Sequence, residues 1–209
     1  MIIPIITDFT RRGNSSADLF SHLLKNRIIF LTGHIETDMA NIVVASLLFL
    51  ESQDAERDVL VYINSPGGSI VDGNSILNTM KLIKCDISTI VIGQAASMAS
   101  VILSAGTKGK RFMLPLSEVM IHQPKGGSWG QSTDIDIQAN RLAEYKRSLT
   151  QMLADNCGKP FYTLHKDMER DYFMSAQEAV EYGIADGVLW GGLDSNQRKR
   201  INIAYGSTD

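Results

Sequence analysis

Two apolar runs constrain this chain most: Val59-Leu60-Val61-Tyr62-Ile63 and the stretch 87–92. Each is closed by turn residues, and each is followed by a helix-like pattern. Unbroken aliphatic and β-branched runs suit strands buried on both faces, and parallel strands need a crossover, usually a helix, between them. The rest of the chain repeats the alternation. Residues 26–31 predict a strand ended by Thr32-Gly33. Residues 39–53 predict a helix that is apolar on more than one side, through Val43, Val44, Leu47, Leu48 and Leu50. A second helix is predicted over 69–84 and a short apolar one over 97–105, with strands at 111–115 and 119–122. The fold class is therefore α/β with mostly parallel pairing.

Beyond the Gly-rich stretch 125–132, Ile135, Ala139, Leu142, Tyr145, Leu149 and Met152 step by threes and fours, one stripe of a long amphipathic helix. A helix projecting from a Gly-rich strand commonly serves association. Pro160 opens a further helix, and Ser175 with Glu178 forms a capping box for a helix ending near Tyr182-Gly183. Residues 7–18 read as a polar arm or loop, and 191–209 as a polar, frayed tail. With 209 residues and no linker between them, one core is expected.

The formal net charge of −3 gives no surface built to neutralise phosphates. The clusters Lys108, Lys110, Arg111 and Arg198, Lys199, Arg200 read as solvated loop and tail charge. Two cysteines, Cys85 and Cys157, and four histidines show no metal-ligand spacing, so free thiols in a reducing compartment and no metal are expected. No run approaches the roughly 20 apolar residues that span a bilayer. The opening Met1 to Ile6 is too short for a signal peptide, and no transit segment is seen. The expected location is cytoplasmic.

Two turns follow apolar strands and precede helices. At Gly67-Gly68 the paired glycines leave backbone N–H groups unobstructed. At Ser97, small neighbours and a strand-to-helix junction leave a hydroxyl accessible over a helix N-terminus. The N–H groups of Gly68 and Met98 could jointly face a developing oxyanion. A serine at such a turn also serves simply as an N-cap. A serine nucleophile needs a base, and His122, ending a strand before Pro124, is placed to project into a cleft. An acid must orient the imidazole; Asp171 is one candidate, and spacing does not choose it over the other acids. The stretch Gly106-Thr107-Lys108-Gly109-Lys110 lacks the spacing of a phosphate loop and reads as a hairpin turn. A Ser104–Lys108 dyad would place its lysine in solvent.

Several long motifs, in one order, then resemble the proteolytic-subunit family of the Clp protease. They are FLTG at 30–33, YINSPGGS at 62–69, GQAASMAS at 93–100, AGTKGKRFMLP at 105–115, MIHQP at 120–124 and ERDYFMSAQEAVEYG at 169–183. The resemblance covers roughly 20–190. It implies a fold of β-α superhelical repeats related to the crotonase fold, with a projecting handle of strand plus long helix at about 123–157. It divides the chain into an axial arm (1–18), a peptidase domain (19–190) and a tail (191–209). It implies Ser97 as nucleophile, His122 as general base, Asp171 as orienting acid, and Gly68 and Met98 as the oxyanion hole. Pro124, Lys125 and Gly126 would pair with an extended peptide substrate, Arg170 would link ring contacts to active-site order, and Tyr62 and Leu82 would help line pockets where an AAA+ unfoldase docks.

The implied function is a serine endopeptidase that cuts unfolded polypeptides inside two stacked heptameric rings. ATP is used by the partner unfoldase, and this chain itself needs no cofactor. Two positions depart from the family's common pattern. Ala99 stands where glycine is common, adding a methyl near the specificity pocket, and Glu118 reverses a common arginine near the ring–ring contacts. The N-terminal stretch 13–18 also lacks the usual Glu and aromatic residue. The alternatives are a silent ring subunit with an assembly role, and a crotonase-type acyl-CoA enzyme, which would need no Ser-His-Asp set.

Overall fold

The computed structural model describes residues 4–10 and 13–190. Strands β1 (Ile5–Thr10) and β2 (Gly13–Asp18) form an antiparallel hairpin, so the arm expected to be irregular is a paired ribbon. Then follow α1 (Leu19–Lys25), β3 (Ile28–Thr32), α2 (Thr37–Gln53), β4 (Val59–Ser65), α3 (Ile70–Leu82), β5 (Ile87–Ala96), α4 (Met98–Ser104), β6 (Arg111–Met113) and β7 (Glu118–Ile121). The chain continues through α5 (Ser132–Cys157), α6 (Phe161–Asp167), β8 (Tyr172–Ser175), α7 (Ala176–Tyr182) and β9 (Gly187–Val188). The expected tail at 191–209, with Arg198, Lys199 and Arg200, lies outside the described residues.

Strands β3, β4, β5, β6 and β9 lie side by side in that order, and every pair is parallel. Successive β-α units therefore put their helices where the apolar runs need cover. Ile29, Leu31, Val61, Ile63 and Val91 share one core with Val43, Leu47, Ile76, Leu77 and α4. A smaller cluster, Leu60, Ile90, Phe112 and Leu189, fills the opposite face, with Tyr62 packed on it. All seven residues of α4 are buried, which fits its uniformly apolar and small composition.

Strand β5 is longer than the apolar run that predicted it, and it forks. Its first half pairs with β6 through Thr89–Val91, and its end pairs with β7 through Gln94–Ala96. Strand β8 then runs antiparallel to β7. This small β5-β7-β8 strip stands beyond the carboxyl ends of the main strands, the usual location for ligand sites in parallel sheets.

The Lys110-Arg111 pair corrects the expectation of solvated loop charge. Arg111 is 2% exposed. Its Nη2 and Nε donate to the two carboxylate oxygens of Asp186 at 2.6 and 2.8 Å, and its Nη1 donates to the carbonyls of Asn156 and Ser104. Lys110 bridges Asp58 and Asp86 at 2.7 and 2.8 Å. Burial disfavours the Asp186 charge, but the side-chain bonds and charge of Arg111, with the N–H groups of Arg111 and Gly109, outweigh it and hold the carboxyl below its ordinary value. The turn at 106–110 joins a helix to a strand and is no hairpin. Ser104 is buried, bonded to Val101 and Asn156. Arg27 is a second buried guanidinium that went unanticipated. It donates to the carbonyls of Leu50, Asp54, Arg57 and Asp58, so the negative end of α2 offsets its charge.

The long helix α5 has 26 residues, about 39 Å at 1.5 Å per residue. Its buried positions, Leu149, Thr150, Leu153, Ala154 and Cys157, all lie in the second half. The first half projects. Of residues 122–131 ahead of it, Gln123 donates its N–H to the Met168 carbonyl at 2.7 Å, and among the described residues the stretch joins no strand ladder. Cys85 and Cys157 are free and buried. Among the described residues, no helix is long and apolar enough to cross a membrane, and no group of His, Cys, Asp and Glu could hold a metal ion.

Candidate active site

Strand registers assemble the site. β7 and β8 pair Ile121 with Tyr172, so the next residues outward, His122 and Asp171, face each other at the end of the ladder. β5 pairs Ala96 with Met120, so Ser97 emerges beside the same end. The Ser97 N–H donates to the Met120 carbonyl at 2.8 Å, fixing the turn. Three residues far apart in sequence are thus brought together by two strand pairings. His122 Nε2 lies 2.7 Å from Ser97 Oγ, and Nδ1 lies 3.0 Å from Asp171 Oδ1. The carboxylate can only accept, so Nδ1 carries the proton and Nε2 accepts from the Ser97 hydroxyl.

Ser97 has φ 55° and ψ −123°. A non-glycine residue in this region costs about 1–3 kcal/mol and persists where the surroundings over-determine it. The turn is held by the Met120 carbonyl below it and by the Ser97 carbonyl, which accepts from Ser100 N–H and from the Ser100 hydroxyl at 2.6 Å. The side chain makes no capping bond to α4, so the N-cap alternative does not describe it. Its hydroxyl is committed to His122.

Gly67 and Gly68 follow β4, which is adjacent to β5. A side chain on Gly67 (φ +92°) would meet the Ala96 carbonyl and Ser97 Cβ, each at 2.7 Å, so the loop presses directly on the serine turn. Gly68 forms a parallel bridge with Ile35, made by the Gly67 carbonyl and the Ser69 N–H. In such a bridge the central residue's own N–H points the other way. The Met98 N–H is the first of α4 and has no intrahelical acceptor. The Met98 N–H adjoins Ser97, and the Gly68 N–H lies in the loop whose Gly67 presses on the serine turn.

Asp171 is half-exposed, and the hydrogen bond from His122, joined by one from Lys125, holds its carboxyl below the ordinary value. Lys125 Nζ lies 3.3 Å from the same oxygen, Oδ1, that His122 uses. Pro124, Lys125 and Gly126 run past the triad as unpaired backbone. Arg170 is exposed and lines, with His122, Lys125 and Asp171, a cavity of about 530 Å3. An apolar slot of about 20 Å3 opens at Ser97, walled by Ile70, Met98, Pro124, Leu149, Leu153 and Met168. Ala99 is fully buried in the core and is not among the residues that line that slot. Glu118 is exposed at the start of β7.

Tyr62 and Leu82 lie elsewhere. Tyr62 stacks on Phe30 with centroids 5.6 Å apart, and Leu82 is 74% exposed at the end of α3. Sequence reasoning missed the slot residues Leu149, Leu153 and Met168. The stripe on α5 signalled the first of these, but nothing local showed that α5 closes on Ser97. It also missed the contact of Lys125 with Asp171.

Comparison with known proteins shows which family the chain resembles. Residues 11–191 match the family model described as Clp protease. A relative from Ligilactobacillus salivarius (strain UCC118), the ATP-dependent Clp protease proteolytic subunit, is 50% identical over 188 residues, covering 90% of this chain and 95% of the relative.

Proposed function

The chain belongs to the Clp protease family, and on that premise we propose that Ser97, His122 and Asp171 form the catalytic triad of this serine peptidase. The observation that carries the reading is the continuous hydrogen-bonded chain, Ser97 Oγ to His122 Nε2 at 2.7 Å and His122 Nδ1 to Asp171 Oδ1 at 3.0 Å.

Ser97 Oγ attacks the scissile carbonyl while His122 Nε2 takes its proton. Asp171 stabilises the imidazolium without accepting the proton. The carbonyl oxygen becomes an oxyanion and rests on the N–H groups of Gly68 and Met98. The C–N bond breaks as His122 returns the proton to the leaving amine. Water then attacks the acyl-enzyme with His122 as base, and Ser97 regains its proton. Pro124, Lys125 and Gly126 supply free backbone along which an extended substrate adds as a strand. The slot beside Ser97 receives an apolar side chain.

The finer assignments follow the family. Two heptameric rings enclose the sites, with the handle at about 123–157 joining them and Arg170 coupling that contact to the triad. The exposed first half of α5 supports this, since Ile137, outside the stripe that faces the chain's own cavity, is 60% exposed in one chain. An AAA+ unfoldase docks over Tyr62 and Leu82 and spends the ATP; this chain binds no cofactor. Residues 1–18 form the axial arm, 19–190 the peptidase domain and 191–209 the tail. The protein works in the cytoplasm, consistent with two free thiols. Peptide turnover by the wild type and by Ser97→Ala tests the reading: the variant should lose turnover, and equal turnover would refute it.

A further inference from the structure

A second cavity, of about 430 Å3, adjoins the site without touching the triad. Its walls include Ile70 and the backbone of Gly126 and Gly127, and its floor is the projecting half of α5, through Leu142 and Tyr145. Two cations stand at it, Lys125 and Arg141, and none of its lining residues is acidic. Arg141 is pre-set: its Nε donates to the Tyr145 hydroxyl at 3.1 Å, and its guanidinium carbon sits 5.4 Å from that ring's centroid. Lys125 is 69% exposed and, among the described residues, tied only to Asp171 Oδ1. An exposed pair of this kind is weak, so an incoming carboxylate can take the ammonium over.

The cavity and the slot beside Ser97 share Ile70 as a wall and α5 as a floor. From Tyr145 to Leu149 the helix advances about 6 Å. An extended peptide advances about 7 Å over two residues, and those two residues point to the same side. A side chain in the slot at P1 therefore puts the P3 side chain over Leu142 and Tyr145, between Lys125 and Arg141.

Resting on the triad reading above, the geometry points to this cavity as a P3 subsite selective for an acidic side chain, with Lys125 and Arg141 as its specificity-determining residues. The aliphatic stem of the acid packs on Leu142 and Tyr145. Its carboxylate accepts from Arg141 and draws Lys125 off Asp171, leaving Oδ1 to His122 alone.

The test uses fluorogenic peptides alike in P1 and P2 and carrying Glu or its neutral isostere Gln at P3, with a second pair varied at P2. At low salt the wild-type assembly should cleave the P3-Glu peptide with a kcat/KM about threefold higher, and the ratio should fall towards one at 0.5 M salt as the charges are screened. The P2 pair should show no preference. Lys125→Met and Arg141→Met should each lower the P3 ratio, and the double variant should bring it to one. A change that merely loosened the site would depress both peptides and leave the ratio intact. A wild-type P3 ratio of one at low salt, or a preference at P2 instead, overturns the subsite while Ser97 still labels and turns over. Loss of all cleavage and labelling in the wild type would instead sink the triad reading and this one with it.

Discussion

Substitution of Gly67 by alanine separates two effects that the fold superimposes at the serine turn. The first is conformational. At φ +92° an L-residue is strained by about 1–2 kcal/mol. The second is steric. The new Cβ would stand 2.7 Å from the Ala96 carbonyl oxygen and 2.7 Å from Ser97 Cβ, both of them in the turn that presents the nucleophile. Reaching an ordinary contact of about 3.4 Å needs roughly 0.7 Å of movement, and cores respond to such overpacking with about 1–3 kcal/mol of destabilisation. Movement on that scale at the reacting group costs on the order of tenfold to a hundredfold in rate. Gly158 provides the control. It closes α5 at φ +68°, and among the described residues nothing lies within 4 Å of its added Cβ. Gly158→Ala should therefore show only the conformational term, about 1–2 kcal/mol in urea unfolding, with kcat/KM within twofold of wild type. Gly67→Ala should lose more stability and at least tenfold in peptide kcat/KM. Equal behaviour of the two variants in both assays would refute the claim that the glycine loop buttresses the serine turn.

Other consequences are as specific. Arg111→Met leaves Asp186 in a largely buried site without its partner, so unfolding should become easier by about 3–5 kcal/mol; adding Asp186→Leu should recover part of that loss, as read by a double-mutant cycle in urea. Because Asp186 is held below its ordinary value in the folded state, its contribution is present above the unfolded value near 3.8 and is lost as pH falls through the folded one. Asp186→Asn should therefore flatten the acid limb of a stability–pH curve, and an unchanged limb would count against the buried pair. Burial pushes the Cys157 thiol up to about 11, so at pH 8 about a thousandth of it is thiolate. Native alkylation should be far slower than alkylation in urea, and comparable rates would contradict the burial.

What the residues announced depended on how local their partners are. The runs at 59–63 and 87–92 became central parallel strands because burial on both faces is written into their composition, and the Ser175–Glu178 capping box formed because its partners are three residues apart. The end of β5 was invisible: Gly93-Gln94-Ala95-Ala96 has no apolar alternation, and only pairing with β7 extends it as a strand. Asp171 was likewise one acid among many until β8 paired with β7 and set it opposite His122, 49 residues away. Arg111 looked like surface charge because its partner Asp186 stands 75 residues further on. Ser97, flanked by small residues before a buried helix, was legible as a turn. Its positive φ and its bond to His122 were not.

The central claim is that Ser97 is a nucleophile activated through His122 and Asp171. Intact mass and peptide mapping after fluorophosphonate treatment test it most directly, run on the wild type, His122→Ala and Asp171→Asn. The wild type should gain a single adduct, on Ser97, and both variants should be labelled orders of magnitude more slowly. An adduct on another residue, or labelling of Ser97 at the wild-type rate in both variants, would contradict the account.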